Sequence, residues 1–255
     1  MGIDRIQLND FYQNLLKPET FSDYCPNGLQ IEGGGSIKTI AFAVSATLDS
    51  ITRALGHKAD ALVVHHGLFW KFHGCKTITG TFAQRVKPLI EAQINLFAYH
   101  LPLDAHPDIG NAAQLGKRLG LQQQQPFGDF KGSPTGIRGA LPMPVIADEL
   151  KQILVDTLQH PVILASPDSS AAIQSIGIIT GGANNDWQLA ANQGLDAYIT
   201  GEISEHDWHD SQEAGVHMFA GGHHATERFG IQALMQATRD QFNIECIFFD
   251  SDNPA

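Results

Sequence analysis

Imidazoles and carboxylates gather at a few places in this chain. Twelve histidines occur in 255 residues, concentrated in residues 57–106 and 206–224. Such clusters suit metal coordination. ALVVHH ends in the adjacent pair His65 and His66, NLFAYHLPLD carries His100 and Asp104, and VHMFAGGHHATE carries His223, His224 and Glu227. Glu227 stands four residues after His223, a spacing that puts both on one helical face, and a helix N-terminus favours an ionised carboxylate. Nitrogen and oxygen donors without a thiolate suit zinc, manganese, iron or nickel in an open, catalytic site better than in a closed structural cage. Adjacent strand residues face opposite sides, so His65 and His66 should diverge. A diverging pair serves two ions better than one, each imidazole holding its own ion, ~3.5–4 Å apart, with a carboxylate between them. Gly67 and the pair Gly221 and Gly222 would let the backbone turn close to that site.

The elements that must position these groups alternate in type. TIAFAVSAT is followed by LDSITRALGHK, ALVVHH by TFAQRVKPLIEAQ, and NLFAYHL by IGNAAQLGKRLGL, a strand and then a helix each time. Each of the three histidine-bearing stretches ends a strand, and in open α/β sheets ligands collect outside the carboxyl ends of strands. QQQQPFGDFKGSPTG, residues 122–136, breaks the rhythm and reads as a loop at a domain boundary. A second series runs from RGALPMP through the helix of VIADELKQILVDTL to the long helix ATERFGIQALMQATRDQF and a last strand IECIFFD. The expected class is α/β: two interlinked domains with mostly parallel sheets and helices on the faces. Residues 1–125 plus 216–255 would form a discontinuous metal-binding domain, and residues 126–215 a smaller second one.

Composition removes several alternatives. No apolar run approaches the ~20 residues of a membrane span, and the polar start MGIDRIQLNDFYQ is no secretory signal, so a cytoplasmic protein is expected. Three widely spaced cysteines form neither a disulfide framework nor a zinc pattern. A formal net charge of −11 disfavours nucleic acid as a partner. GGG at 33–35 and TGGANN at 180–185 fit no phosphate loop and read as turns. Taken singly, His65 and His66 could simply end a strand, Asp104 cap a helix and Glu227 be a solvated acid. Together they point to metal. His100 and His224 read as partners that orient a ligand, and His106 as a surface residue. His206 and His209, near Glu202 and Glu205, could form a second site but read as a helix on the rim with one histidine facing inward; His57, His73, His160 and His217 are unassigned.

The strings SDYCPNGLQIEG, VHHGLFW, HLPLDAHPDIGN, TGEISEHDWHD and AGGHHATERFG resemble the NIF-three-like proteins, the GTP cyclohydrolase 1 type 2 homologues, over nearly the whole chain. The resemblance implies that His65, His66, Asp104, His223 and Glu227 hold two divalent metals, Glu227 bridging them. It also implies two α/β domains and a toroidal homohexamer with sites facing an inner cavity. Longer members insert a further domain, for which this chain has no room. Two metals generate hydroxide near neutral pH and polarise the group it attacks, so the enzyme reading is metal-dependent hydrolysis of a nucleotide. With GTP, following the family name, hydroxide would attack purine C8, formate would leave and the ring would re-close; with a phosphoester, the ions would clamp phosphate oxygens. The alternative is a non-catalytic protein that binds or delivers metal, or regulates.

Overall fold

The computed structural model describes residues 2–255, and the chain divides into two compact units. The first runs to Leu103 and resumes over Ile231–Asp250. Its elements are β1 (Ile3–Asp4), α1 (Arg5–Leu16), β2 (Gly28–Ile31), β3 (Ser36–Ile37), β4 (Thr39–Ser45), α2 (Leu48–Gly56), β5 (Ala61–His66), α3 (Gly80–Glu91), β6 (Asn95–Ala98) and the single turn α4 (Leu101–Asp104), which ends one residue beyond it. Asp4 starts α1 by accepting from the Ile6 amide while Gln7 accepts from the Asp4 amide, a reciprocal cap. The apolar runs of β4 and β5 are buried almost throughout, as strands covered on both faces must be. Ile51 and Ala54 of α2 and Phe82, Val86 and Leu89 of α3 pack on them.

The second unit holds Asp104–Gly230 and Ser251–Ala255. It contains α5 (Asn111–Arg118), β7 (Gln122–Phe127), β8 (Gly136–Val145), α6 (Ala147–Leu158), β9 (Ile163–Ala165), β10 (Ile173–Ile178), α7 (Trp187–Asn192), β11 (Ala197–Thr200), α8 (Glu205–Glu213), β12 (His217–Ala220) and the first eight residues of α9 (His223–Phe242). The rest of α9 and β13 (Glu245–Phe249) belong to the first unit, whose sheet order is therefore β13-β4-β5-β6-β2. Only β2 in that sheet is antiparallel to its neighbour. The second sheet has the order β7-β8-β10-β11-β12-β9. Its centre, β10-β11-β12, is parallel, and β7, β8 and β9 flank it in antiparallel pairing. Leu150, Leu154 and Leu158 on one face of α6 join Ile176, Ile178, Ile199 and Phe219 in its core.

One reading of the sequence changes here. QQQQPF is not loop but strand β7, paired with β8. It is the edge of its sheet and mostly exposed, where a proline lacking an N–H and a run of glutamines are tolerated, so no apolar period betrays it. The compact units divide after Leu103, Gly230 and Asp250. The reason is pairing: β12 adds to β11 in the second sheet, which draws His217–Ala220 and the start of α9 with it. Among the described residues no helix is long and apolar enough to cross a membrane, and the cysteines form no disulfide.

Candidate metal centre

In the first unit the parallel pairing of β5 with β4 and β6 sets Ser45 opposite His66 and Val64 opposite Ala98, so the carboxyl ends of these strands lie side by side. His65 and His66 end β5, and His100 follows β6 by two residues. Donor nitrogens of the three imidazoles lie within 4.8 Å of one another. The rings of His65 and His66 are 4.6 Å apart, and that of His100 is 5.1 Å from the first and 5.7 Å from the second. The expected divergence of the pair is thus not observed, because His66 is the last strand residue and the regular alternation stops there.

Each imidazole is held at Nδ1. His65, fully buried, donates from Nδ1 to the Tyr99 carbonyl at 2.9 Å. A carbonyl only accepts, so the proton sits on Nδ1 and the lone pair on Nε2, the form that binds a metal. His66 Nδ1 lies 3.0 Å from Ser45 Oγ. His100 Nδ1 lies 2.8 Å from Asp23 Oδ1, and its backbone amide donates to Asn27 Oδ1. Asp23, also buried, accepts from Asn27 Nδ2 at 2.8 Å and from the Leu101 amide at 3.0 Å. Burial pushes the Asp23 carboxyl up, but His100, Asn27 and Leu101 together outweigh it and hold the group down at about 2.

The second unit carries a carboxylate cluster. Carboxylate oxygens of Asp104 and Glu227 lie within 4.8 Å of each other, and both residues are buried. Asn111 donates to Asp104 Oδ1 at 2.8 Å, while its own carbonyl accepts from the Gly230 amide of α9. A Cβ on Gly230 would stand 2.4 Å from that carbonyl oxygen. His223, at the start of α9, has Nε2 3.2 Å from Glu227 Oε2 and Nδ1 2.5 Å from Glu202 Oε1. Burial opposes its protonation, yet Glu227 and then Glu202 overcome this and raise His223 to about 9. The metal-free imidazole is therefore a cation between two carboxylates near neutral pH.

Sequence reasoning missed three parts of this arrangement. Glu202 and Asp23 orient His223 and His100; Glu202 follows β11 by two residues, so the strand-end signal that marked the histidines applied to it as well. TGGANN is a turn, as expected, but not an idle one. Gly181, at φ +70°, is where a Cβ would stand 2.1 Å from Glu227 Oε1, and its amide donates to Thr226 Oγ1 of α9. The glycines assigned that role behave differently: a Cβ on Gly67 would meet the Gln30 amide, on Gly221 Leu158, and on Gly222, at φ +91°, the His160 ring. His224 is buried in the first turn of α9, its backbone amide donating to Ala255. His106 accepts from the amides of Asp108 and Ile109 and closes a turn. His206 and His209 are exposed on α8, beside Asp207 and Glu205.

The chain is similar to solved and curated proteins along its whole length. A Pasteurella multocida protein, GTP cyclohydrolase 1 type 2 homolog, is 40% identical over 253 residues, covering 99% of this chain and 100% of its own. The solved protein ybgI, described as of unknown function, superposes with a TM-score of 0.92 at 38% identity, over 99% of this chain and 100% of its own. TTHA1606 from Thermus thermophilus does so with a TM-score of 0.90 at 28% identity, with the same coverage. The family model of Duf34/NIF3 (NGG1p interacting factor 3) matches residues 3–254, the span that carries the strand-end imidazoles, the Asp104 turn and the head of α9, and the chain belongs to that family.

Proposed function

We propose that His65, His66, Asp104, His223 and Glu227 together hold two divalent metal ions, and that the protein hydrolyses a nucleotide with them. The observation that carries this reading is the state of His65: a fully buried imidazole fixed by a carbonyl in the tautomer with its lone pair on Nε2. Its neighbours fit the same use. Ser45 and Asp23 engage Nδ1 of His66 and His100, Asn111 steadies Asp104, and Glu202 steadies His223. His65, His66 and His223 would supply nitrogen and Asp104 and Glu227 oxygen, a mixed set that suits zinc, manganese, iron or nickel. Glu227, buried and four residues from His223, would be shared between the ions. When bound, a pair of divalent ions supplies hydroxide near neutral pH and polarises the group it attacks. The name of the Pasteurella relative supports a nucleotide as substrate.

The test is turnover of a panel of GTP, other nucleotides and generic phosphodiesters by manganese- and zinc-loaded protein. At least one should be hydrolysed, and Glu227→Ala should abolish that turnover. Formate from GTP would mark ring opening, and inorganic phosphate would mark ester hydrolysis. Two tightly held ions without turnover of any panel member would replace the enzyme by a metal carrier. The same reading has six copies closing into a torus, which light scattering of the gel-filtered protein tests; a strict monomer would remove that part.

A further inference from the structure

Beyond the imidazole cluster of the first unit the chain builds a shelf of aromatic rings. Trp70 meets His100 edge to face at 5.1 Å and lies 5.9 Å from His66. Its indole N–H donates to the Gly67 carbonyl at 3.0 Å, which fixes the ring. Phe72 stacks on Trp70 at 5.4 Å with 25° between the planes. Tyr24 and His73 stand edge to face against Phe72, at 6.4 and 4.7 Å. The shelf is tied down, since the Lys71 amide donates to the Tyr24 carbonyl and its ammonium to the Asp23 carbonyl. Yet Phe72 is 67% exposed and Tyr24 41%. Anchored rings left in water beside a polar cluster offer a flat surface on which a planar ligand can stack. The stretch of sequence that carries Trp70 and Phe72 is also basic. Residues 61–90 contain Lys71, Lys76, Arg85 and Lys87 and not one acid, in a chain of net charge −11.

We infer that the exposed part of the Phe72 ring seats the flat heterocycle of an anionic substrate, a nucleotide, and that this heterocycle is a handle and not the reacting group. Stacking on an aromatic face accepts any base, and the lysines favour a ligand that carries phosphate. The order of rings decides the rest. Trp70 stands between Phe72 and the imidazoles, so a purine stacked on Phe72 has the indole between its C8 and any ion at His65, His66 or His100. The bond that breaks is then on the ribose-phosphate side, with water adding to phosphorus and the ester oxygen leaving with a proton. The inference rests on the metal-dependent reading above and narrows it from ring opening to ester hydrolysis.

Metal-free protein separates the two ideas, because the nucleoside ring then has no ion to bind. Guanosine, adenosine, GMP and ribose 5-phosphate are titrated by calorimetry into wild type, Phe72→Ala and Phe72→Tyr, and each protein is separately titrated with manganese. Guanosine and adenosine should both bind, Phe72→Ala should weaken them roughly tenfold or more, and Phe72→Tyr should restore them. GMP should bind more tightly than ribose 5-phosphate, and manganese should bind all three proteins alike. Guanosine binding equal in wild type and Phe72→Ala, absent from both, or matched by ribose 5-phosphate would overturn the seat. So would a Phe72→Ala variant that keeps guanosine but changes its mass in light scattering, since the shelf would then be a contact with a second copy. Failure to bind manganese would strike the metal reading alone, with the nucleoside titration still judging the seat.

Discussion

His223 makes metal binding a competition with a proton. Its imidazole lies between Glu202 and Glu227 and is raised to about 9. A coordinating imidazole must be neutral, so an ion entering this site expels the proton. The sign follows from the direction of the shift. The folded value is above the ordinary 6.5, so protonation stabilises the metal-free protein fully below 6.5, and that stabilisation is lost as pH rises through 9. At pH 7, two units below, only roughly one chain in a hundred has a neutral His223, which weakens apparent affinity ~100-fold, or about 2.7 kcal/mol. Affinity should therefore climb about tenfold per unit between pH 7 and pH 8.5 and level off above 9. Manganese titration calorimetry at pH 8 in buffers of different ionisation enthalpy counts the protons directly. A histidine of ordinary pKa is already neutral there, so His223 should contribute about 0.9 to the count, in addition to any proton that metal-bound water gives up. Glu202→Gln removes one of the two charges, and should lower the count and flatten the pH dependence. A count near zero, or an affinity that does not change across this range, would refute the argument.

Gly181→Ala should cost ~1 kcal/mol for a left-handed backbone and displace Glu227, weakening manganese roughly 10–100-fold in the same calorimeter; unchanged affinity would show that this turn has no part in the site. Asp23, held at about 2, contributes stability that is present above its ordinary 3.8 and lost as pH falls through 2, worth about 1–2 kcal/mol once solvent screening is allowed for. Urea melts should show Asp23→Asn destabilised at pH 5 and the gap closing near pH 2; a gap independent of pH would count against a stabilising Asp23 carboxylate. Leu154→Ala, in the core beneath α6, should cost about 2–5 kcal/mol in a denaturant melt, and a loss under 1 kcal/mol would mean that the site collapses freely.

What the sequence made legible follows its local periods. β4, β5 and β6 are continuous apolar runs because both faces are covered, and α2, α3 and α6 carry apolar faces at helical spacing, so their types could be read without a partner in view. The histidines at strand ends were legible for the same reason: the run stops where the chemistry begins. Strand β7 was not, because an edge strand needs only one neighbour and its exposed glutamines carry no alternation. Neither were the contacts of Asp23 with His100 or of Gly181 with Glu227, which join residues far apart in the chain through single hydrogen bonds or a missing side chain. Such pairings leave no period to read. The convergence of His65 and His66 was missed because strand alternation was carried one residue too far.

The central claim is that five named side chains hold two ions. Anomalous diffraction from crystals of manganese-loaded protein, collected together with metal analysis of the same sample, tests it directly. The account predicts two ions per chain, with His65, His66, Asp104, His223 and Glu227 as the protein ligands and Glu227 touching both ions, and it predicts that His66→Ala and Glu227→Ala stay folded but lose metal. No bound metal after reconstitution, or a single ion held by His65, His66 and His100 without either carboxylate, would contradict it.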